Sequence, residues 1–182
     1  MALTYSQTIP FGAAAPDFSL PGIDGKTYSL ADFKGKRALV IVFMCNHCPY
    51  VQAIWDRLIS MQSEFSAAGA EFVGINSNDS SNYPEDGFEK MKEYAASRGQ
   101  NFPYLRDESQ QTAKAYGAVC TPDIFVYDSE QRLAYHGRID DNWQEPAKVK
   151  ERELAQAVEA LLHGQKPSQT QKPSMGCSIK WK

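Results

Sequence analysis

ALVIVFMCNHCPYVQAIW, residues 38–55, joins two kinds of sequence at one point. Ala38 to Phe43 is an unbroken apolar run rich in β-branched residues, the pattern of a central strand buried on both faces. From Pro49 the period changes. Val51, Ile54, Trp55, Leu58, Ile59, Gln62 and Phe65 fall at i, i+3, i+4, i+7 spacing, which predicts a helix with Pro49 in its first turn, where a missing N–H is no loss. Between strand and helix stand Cys45 and Cys48, separated by Asn46 and His47.

Outward from this junction the chain alternates strands and helices. DFSLPGIDGKTYSL reads as an N-terminal β-hairpin around Pro21-Gly22 and Asp24-Gly25, after an irregular lead-in over residues 1–15. Gly69 ends the first helix, and Glu71 to Ile75 reads as a second buried strand that runs into the polar loop NSNDSSNYPEDG. Helices are expected over Phe88–Ala96, Ser109–Tyr116 and Pro146–Leu162, and a hairpin over Asp123–Asp128 and Arg132–His136. The order implies a layered α/β fold with a central mixed β-sheet flanked by helices. One domain is expected over residues 1–163. Residues 164–182 are expected to form a flexible C-terminal tail, polar over QKPSQTQKPS. The tail ends in MGCSIKWK, which carries Cys177 and is apolar enough that some surface should receive it.

Composition narrows the function classes. A hydrophobic share of 42% fits a soluble globular chain, and a formal net charge of −3 offers no electrostatic footprint for nucleic acid or an anionic membrane. No apolar stretch approaches the ~18 residues of a membrane span. The N-terminus lacks the basic start and apolar core of a signal peptide, so the chain reads as cytoplasmic. Structural disulfides are uncommon there, and a close Cys pair is catalytic, redox-sensing or metal-binding. Zinc is the weaker reading, because His136 and His163 are far apart and no second Cys pair exists.

In a strand–Cys-x-x-Cys–helix arrangement both sulfurs lie near the first helical turn, where unpaired N–H groups and the helix dipole favour a thiolate. Cys45 precedes the helix and is the expected nucleophile. Cys48, tucked beside Pro49, is the expected resolving thiol. A protonated His47 would lower the Cys45 pKa further; the bland alternative is an exposed turn residue.

The stretch APDFSLPGIDGKTYSLADFKGKRALVIVFMCNHCPY resembles the opening of redoxins, the alkyl hydroperoxide reductase and thiol-specific antioxidant branch of the thioredoxin-like superfamily. EFVGINSND, FPYLRDESQQTAKAYGAVCTPDIFVYD and LAYHGRIDD extend the match over roughly residues 14–162. The resemblance implies a thioredoxin-like fold with an N-terminal β extension. It also implies a cis-proline facing the Cys pair, here Pro122, with the Thr121 backbone pairing to an extended substrate. Two departures stand out. The Pro-x-x-x-Thr-x-x-Cys run of peroxiredoxins is absent in either register: Val42 and Ala38 precede Cys45, and Cys45 and Ile41 precede Cys48. Arg138 could serve as a peroxide-site arginine, although a salt-bridged strand end explains it as well. No acidic residue occurs from Ala38 to Trp55, so a proton acceptor must come from elsewhere, or His47 and water must serve.

Cys120, two residues before Pro122, is either a small buried residue or a thiol at the active-site rim. Cys177, on its tether, could exchange with Cys45–Cys48 or pair with Cys120. The expected function is thiol–disulfide exchange through Cys45 and Cys48, with His47, Thr121 and Pro122 beside them. The alternatives are a thiol peroxidase or a metal-handling, redox-sensing module. No cofactor is expected. The expected partners are a protein or small-molecule disulfide or thiol and an electron-donor thiol system.

Overall fold

The computed structural model describes residues 3–182. In chain order its strands are β1 (Leu3–Tyr5), β2 (Ser19–Pro21), β3 (Thr27–Ser29), β4 (Ala38–Phe43), β5 (Ala70–Asn76), β6 (Tyr104–Arg106), β7 (Cys120–Thr121), β8 (Asp123–Asp128), β9 (Leu133–His136) and β10 (Met175–Ser178). The helices are α1 (Pro49–Phe65), α2 (Phe88–Arg98), α3 (Gln111–Tyr116) and α4 (Glu153–Leu162).

All six residues of β4 are buried, and the strand sits at the centre of a five-stranded sheet ordered β6-β5-β4-β8-β9. The β6, β5 and β4 strands are parallel, while β8 and β9 run antiparallel, so the sheet is mixed. Alternation along β4 divides the core. Ala38, Val40 and Val42 pack with Ile54, Leu58, Leu154 and Val158 of α1 and α4 on one face. Leu39, Ile41 and Phe43 pack with Leu20, Phe33, Tyr116 and Phe125 on the other. The fold is thioredoxin-like, and the two-stranded β2–β3 hairpin is its N-terminal extension.

Three expectations change. Residues 1 and 2 of the lead-in lie outside the described residues, but Leu3–Tyr5 is a strand rather than irregular chain. The last helix starts at Glu153, because Pro146–Lys148 forms only a 3-10 turn and Val149 is extended. Most consequential is the tail. Gln171 accepts from the His136 N–H at 2.8 Å, and the Lys172 carbonyl accepts from Arg138 N–H at 3.0 Å, which lays the polar segment along the end of β9. Met175–Ser178 then enters a second sheet, ordered β1-β10-β7. The flexible tail expected from residue 164 is therefore an integral part of the fold. Its apolar Cys177 and Ile179 are buried, which repays the ordering of the chain.

Candidate active site

Cys48 is the N-cap of α1, and Cys45 lies in the short turn that β4 feeds into. The Thr121–Pro122 peptide bond is cis, the conformation implied by the resemblance, and Thr121 lies against both sulfurs. Cys45 Sγ and Thr121 Oγ1 are 3.4 Å apart, and Cys48 Sγ lies 3.1 Å from the Thr121 carbonyl oxygen, to which it donates when protonated. None of the four cysteines is in a disulfide, and both members of the pair are buried.

Burial pushes the Cys45 thiol well above its ordinary value. Cys48 moves the other way, to about 5: first through the hydrogen bond from Cys45, then against burial through the Val51 N–H and through Cys177. Two sulfurs this close share one negative charge. The helix N-terminus does favour a thiolate, as its unpaired N–H groups require, but it favours Cys48, which caps the helix, over Cys45, which precedes it.

A buried carboxylate reaches the Cys loop from the segment after β5. Asp86, wholly buried, accepts from the backbone N–H groups of Asn46 (2.8 Å) and His47 (3.3 Å) and from Asn78 Nδ2 (2.7 Å). It also lies 2.6 Å from His47 Nδ1. Burial alone would raise Asp86, but the bonds from His47 and Asn78 outweigh it and hold the carboxyl below its usual range. In return the Asp86 bond raises His47 against its own desolvation. The imidazole stacks on Tyr83, with centroids 5.3 Å apart, so His47 is a held residue and not a loose turn position. A second buried carboxylate, Asp123, follows the cis-proline and pairs with His136 Nε2 at 2.7 Å. Burial raises its pKa despite that bond.

Neither Asp86 nor Asp123 stood out in the sequence. Asp86 is 39 residues from His47 and read only as part of a polar loop. The signal available was position: in parallel α/β sheets, functional loops follow the carboxyl ends of strands. Donor atoms of Cys45, His47 and Asp86 lie within 4.8 Å of one another, a spacing that could hold a metal ion, although His47 and Asp86 already satisfy each other. Cys120 is buried beside Asp123, and burial holds it strongly as a thiol. Arg138 is engaged by Glu153 at 2.6 Å.

These features define a thioredoxin-like domain with a dithiol at its strand-to-helix turn, set against a cis-proline. The chain belongs to the AhpC/TSA family, whose pattern matches residues 11–136. It is 32% identical over 126 residues to peroxiredoxin Bcp of Escherichia coli K12, covering 68% of this chain and 76% of that one. An uncharacterized conserved protein from Geobacillus kaustophilus shares the fold along its length: 43% identity, TM-score 0.96, covering 100% of this chain and 97% of that one. A thiol:disulfide interchange protein of the thioredoxin family from Chlorobium tepidum superposes with TM-score 0.65 over 85% of this chain and 99% of its own, and at 22% identity that likeness speaks for the fold alone. The protein is an oxidoreductase of the redoxin class.

Proposed function

We propose that this protein is a thiol–disulfide oxidoreductase that cycles Cys45–Cys48 between dithiol and disulfide. The observation that carries the reading is convergence: both sulfurs lie within 3.4 Å of Thr121, directly before cis Pro122. Cys45, ahead of the helix, attacks the substrate disulfide. Cys48, the better thiolate, resolves the mixed disulfide, and the second substrate sulfur leaves with the electron pair. The hydrogen bond between the two sulfurs gives the Cys45 proton an acceptor in place at the moment of attack. Asp86 holds His47 beside the pair, where a protonated imidazole favours the thiolate. The partners are a disulfide substrate and a thiol donor that returns the pair to the reduced state, in a cytoplasmic setting where thiols persist.

The identity to peroxiredoxin Bcp supports a second reading, peroxidase activity. Against it stand the lost Pro-x-x-x-Thr-x-x-Cys run and the engagement of Arg138 by Glu153. A redox titration in glutathione buffers, with disulfides mapped by mass spectrometry, tests the first reading. A reversible Cys45–Cys48 disulfide, with mixed disulfide trapped on Cys45 in Cys48→Ser, is expected. If mixed disulfide collects on Cys48 in Cys45→Ser and never on Cys45, the roles are reversed. If the pair stays reduced while hydroperoxide is consumed, the peroxidase reading replaces the first.

A further inference from the structure

The edge of β7 before cis Pro122 is already paired. Strand β10 runs antiparallel along it, with Cys177 opposite Thr121 and Ser178 opposite Cys120, and β1 closes the far side with Leu3 opposite Cys177. The approach is as close as a backbone permits: a Cβ on Gly176 would lie 2.0 Å from the Thr121 carbonyl oxygen and 3.1 Å from Pro122 Cδ. This seats Cys177, itself buried, on the Cys pair, where its backbone N–H and its thiol both hydrogen-bond to Cys48. The residues after Ser178 lock the strand down. Ile179 N–H donates to Val119 O at 3.0 Å, and the Lys180 carbonyl accepts from Asp79 N–H and Gln110 Nε2, both at 2.8 Å. A segment of this chain thus occupies the groove in the manner of an added strand, with a thiol at the contact point.

We propose that Cys177 is a third redox thiol, a resident exchange partner that accepts the disulfide from Cys45–Cys48. This role rests on Cys45 and Cys48 forming a dithiol couple. Once an external disulfide has oxidised the pair, the Cys177 sulfur attacks Cys48 Sγ. The Cys177–Cys48 bond forms as the Cys45–Cys48 bond breaks, the electron pair leaves on Cys45, and Cys45 takes up the proton that Cys177 gives up. The step is an isomerisation and needs no further oxidant. It ties the C-terminal strand covalently to the helix cap and returns Cys45 as a thiol. Oxidation itself prepares the attack. In the reduced protein, burial and then the hydrogen bond and charge of Cys48 hold Cys177 up at about 12, and disulfide formation at Cys48 removes the last two of these.

The test uses full-length wild type, Cys45→Ser and Cys177→Ser, each incubated with oxidised glutathione, quenched in acid, alkylated and mapped by peptide mass spectrometry. Wild type should yield both Cys45–Cys48 and Cys48–Cys177 peptides. Cys45→Ser should accumulate Cys48–Cys177 with loss of the glutathione adduct, and Cys177→Ser should yield Cys45–Cys48 alone. A Cys45→Ser protein that retains glutathione on Cys48 while Cys177 is alkylated overturns the relay, and the wild-type Cys45–Cys48 disulfide then still stands. A Cys177→Ser protein that never forms Cys45–Cys48 overturns both readings. Should Cys45→Ser fail to fold, the Cys48–Cys177 peptide in wild type decides, its presence supporting the relay and its absence overturning it.

Discussion

Asp86 organises the turn between the sulfurs. It bonds the backbone N–H groups of Asn46 and His47 as well as the imidazole, so one carboxylate fixes both the shape and the charge of the Cys-x-x-Cys loop. Removing that charge while keeping the shape is the informative change. In Asp86→Asn, desolvation of His47 remains and its opposing partner is gone, so the imidazole should titrate below its ordinary value of 6.5 instead of above it. An NMR titration of the ring protons reads this directly, and an unchanged midpoint would refute it. Stability follows the same sign. A raised histidine stabilises fully below 6.5 and loses that contribution as pH rises through its folded value. The melting difference between wild type and Asp86→Asn should therefore shrink as pH rises through that range. Asp86 itself does not blur the comparison, because its own window lies below 3.8.

At the level of elements, α1 and β10 hold the site from opposite sides. Trp55 on α1 is fully buried, donates to Gln100 Oε1 at 2.9 Å and meets Tyr104 edge-on at 5.7 Å. Tyr104 in turn donates to Asn46 Oδ1, so the packing behind the helix reaches the Cys loop. Trp55→Ala should cost about 3–5 kcal/mol, through lost transfer energy and a cavity that cannot collapse, as urea unfolding would measure. On the other side, β10 seals the pair only because residue 176 is glycine. In Gly176→Ala the added methyl meets the Thr121 backbone at 2.0 Å, and backbone cannot swing aside as a flexible side chain would. The strand must lift. Cys48 should then alkylate with iodoacetamide several-fold faster than in wild type while the five-stranded sheet keeps its far-ultraviolet signature. Equal alkylation rates would mean that β10 does not guard the sulfurs.

Across the whole molecule, legibility tracked element length and, for short strands, an adjoining turn. The β4 and β5 strands, α1 and the late hairpin were plain in the sequence, because a run of several residues of one period leaves a pattern that tertiary contacts seldom override. Strands β1, β6, β7 and β10 were not, since two to four residues carry no period, no hairpin turn ties them to a neighbour as it does β2 to β3 and β8 to β9, and their conformation comes from a partner strand far along the chain. The site divided the same way. The Cys pair is local and was read at once, whereas Asp86, the Asp123–His136 pair and the seat of Cys177 are made by the fold. The electrostatic consequence belongs to the molecule as a unit, because it couples redox state to proton uptake. With Cys48 drawn down to about 5 and Cys45 pushed up, the reduced pair holds one proton across neutral pH. Two-electron reduction then takes up one proton, and the midpoint potential should fall by about 30 mV per pH unit between roughly pH 6 and 8, half the ~59 mV of a pair that takes up two. The thermodynamic counterpart has a defined sign. An acid with a depressed folded pKa stabilises fully above its unfolded value, here 9.0, and loses that contribution as pH falls through about 5. The melting advantage of reduced wild type over reduced Cys48→Ser should therefore widen as pH rises from about 5 to 9, and the oxidised protein, which has no thiolate at Cys48, should show no such widening. A slope near ~59 mV together with a flat melting difference would show that both thiols stay protonated at neutral pH, and Cys48 would lose its place as the standing thiolate of the pair.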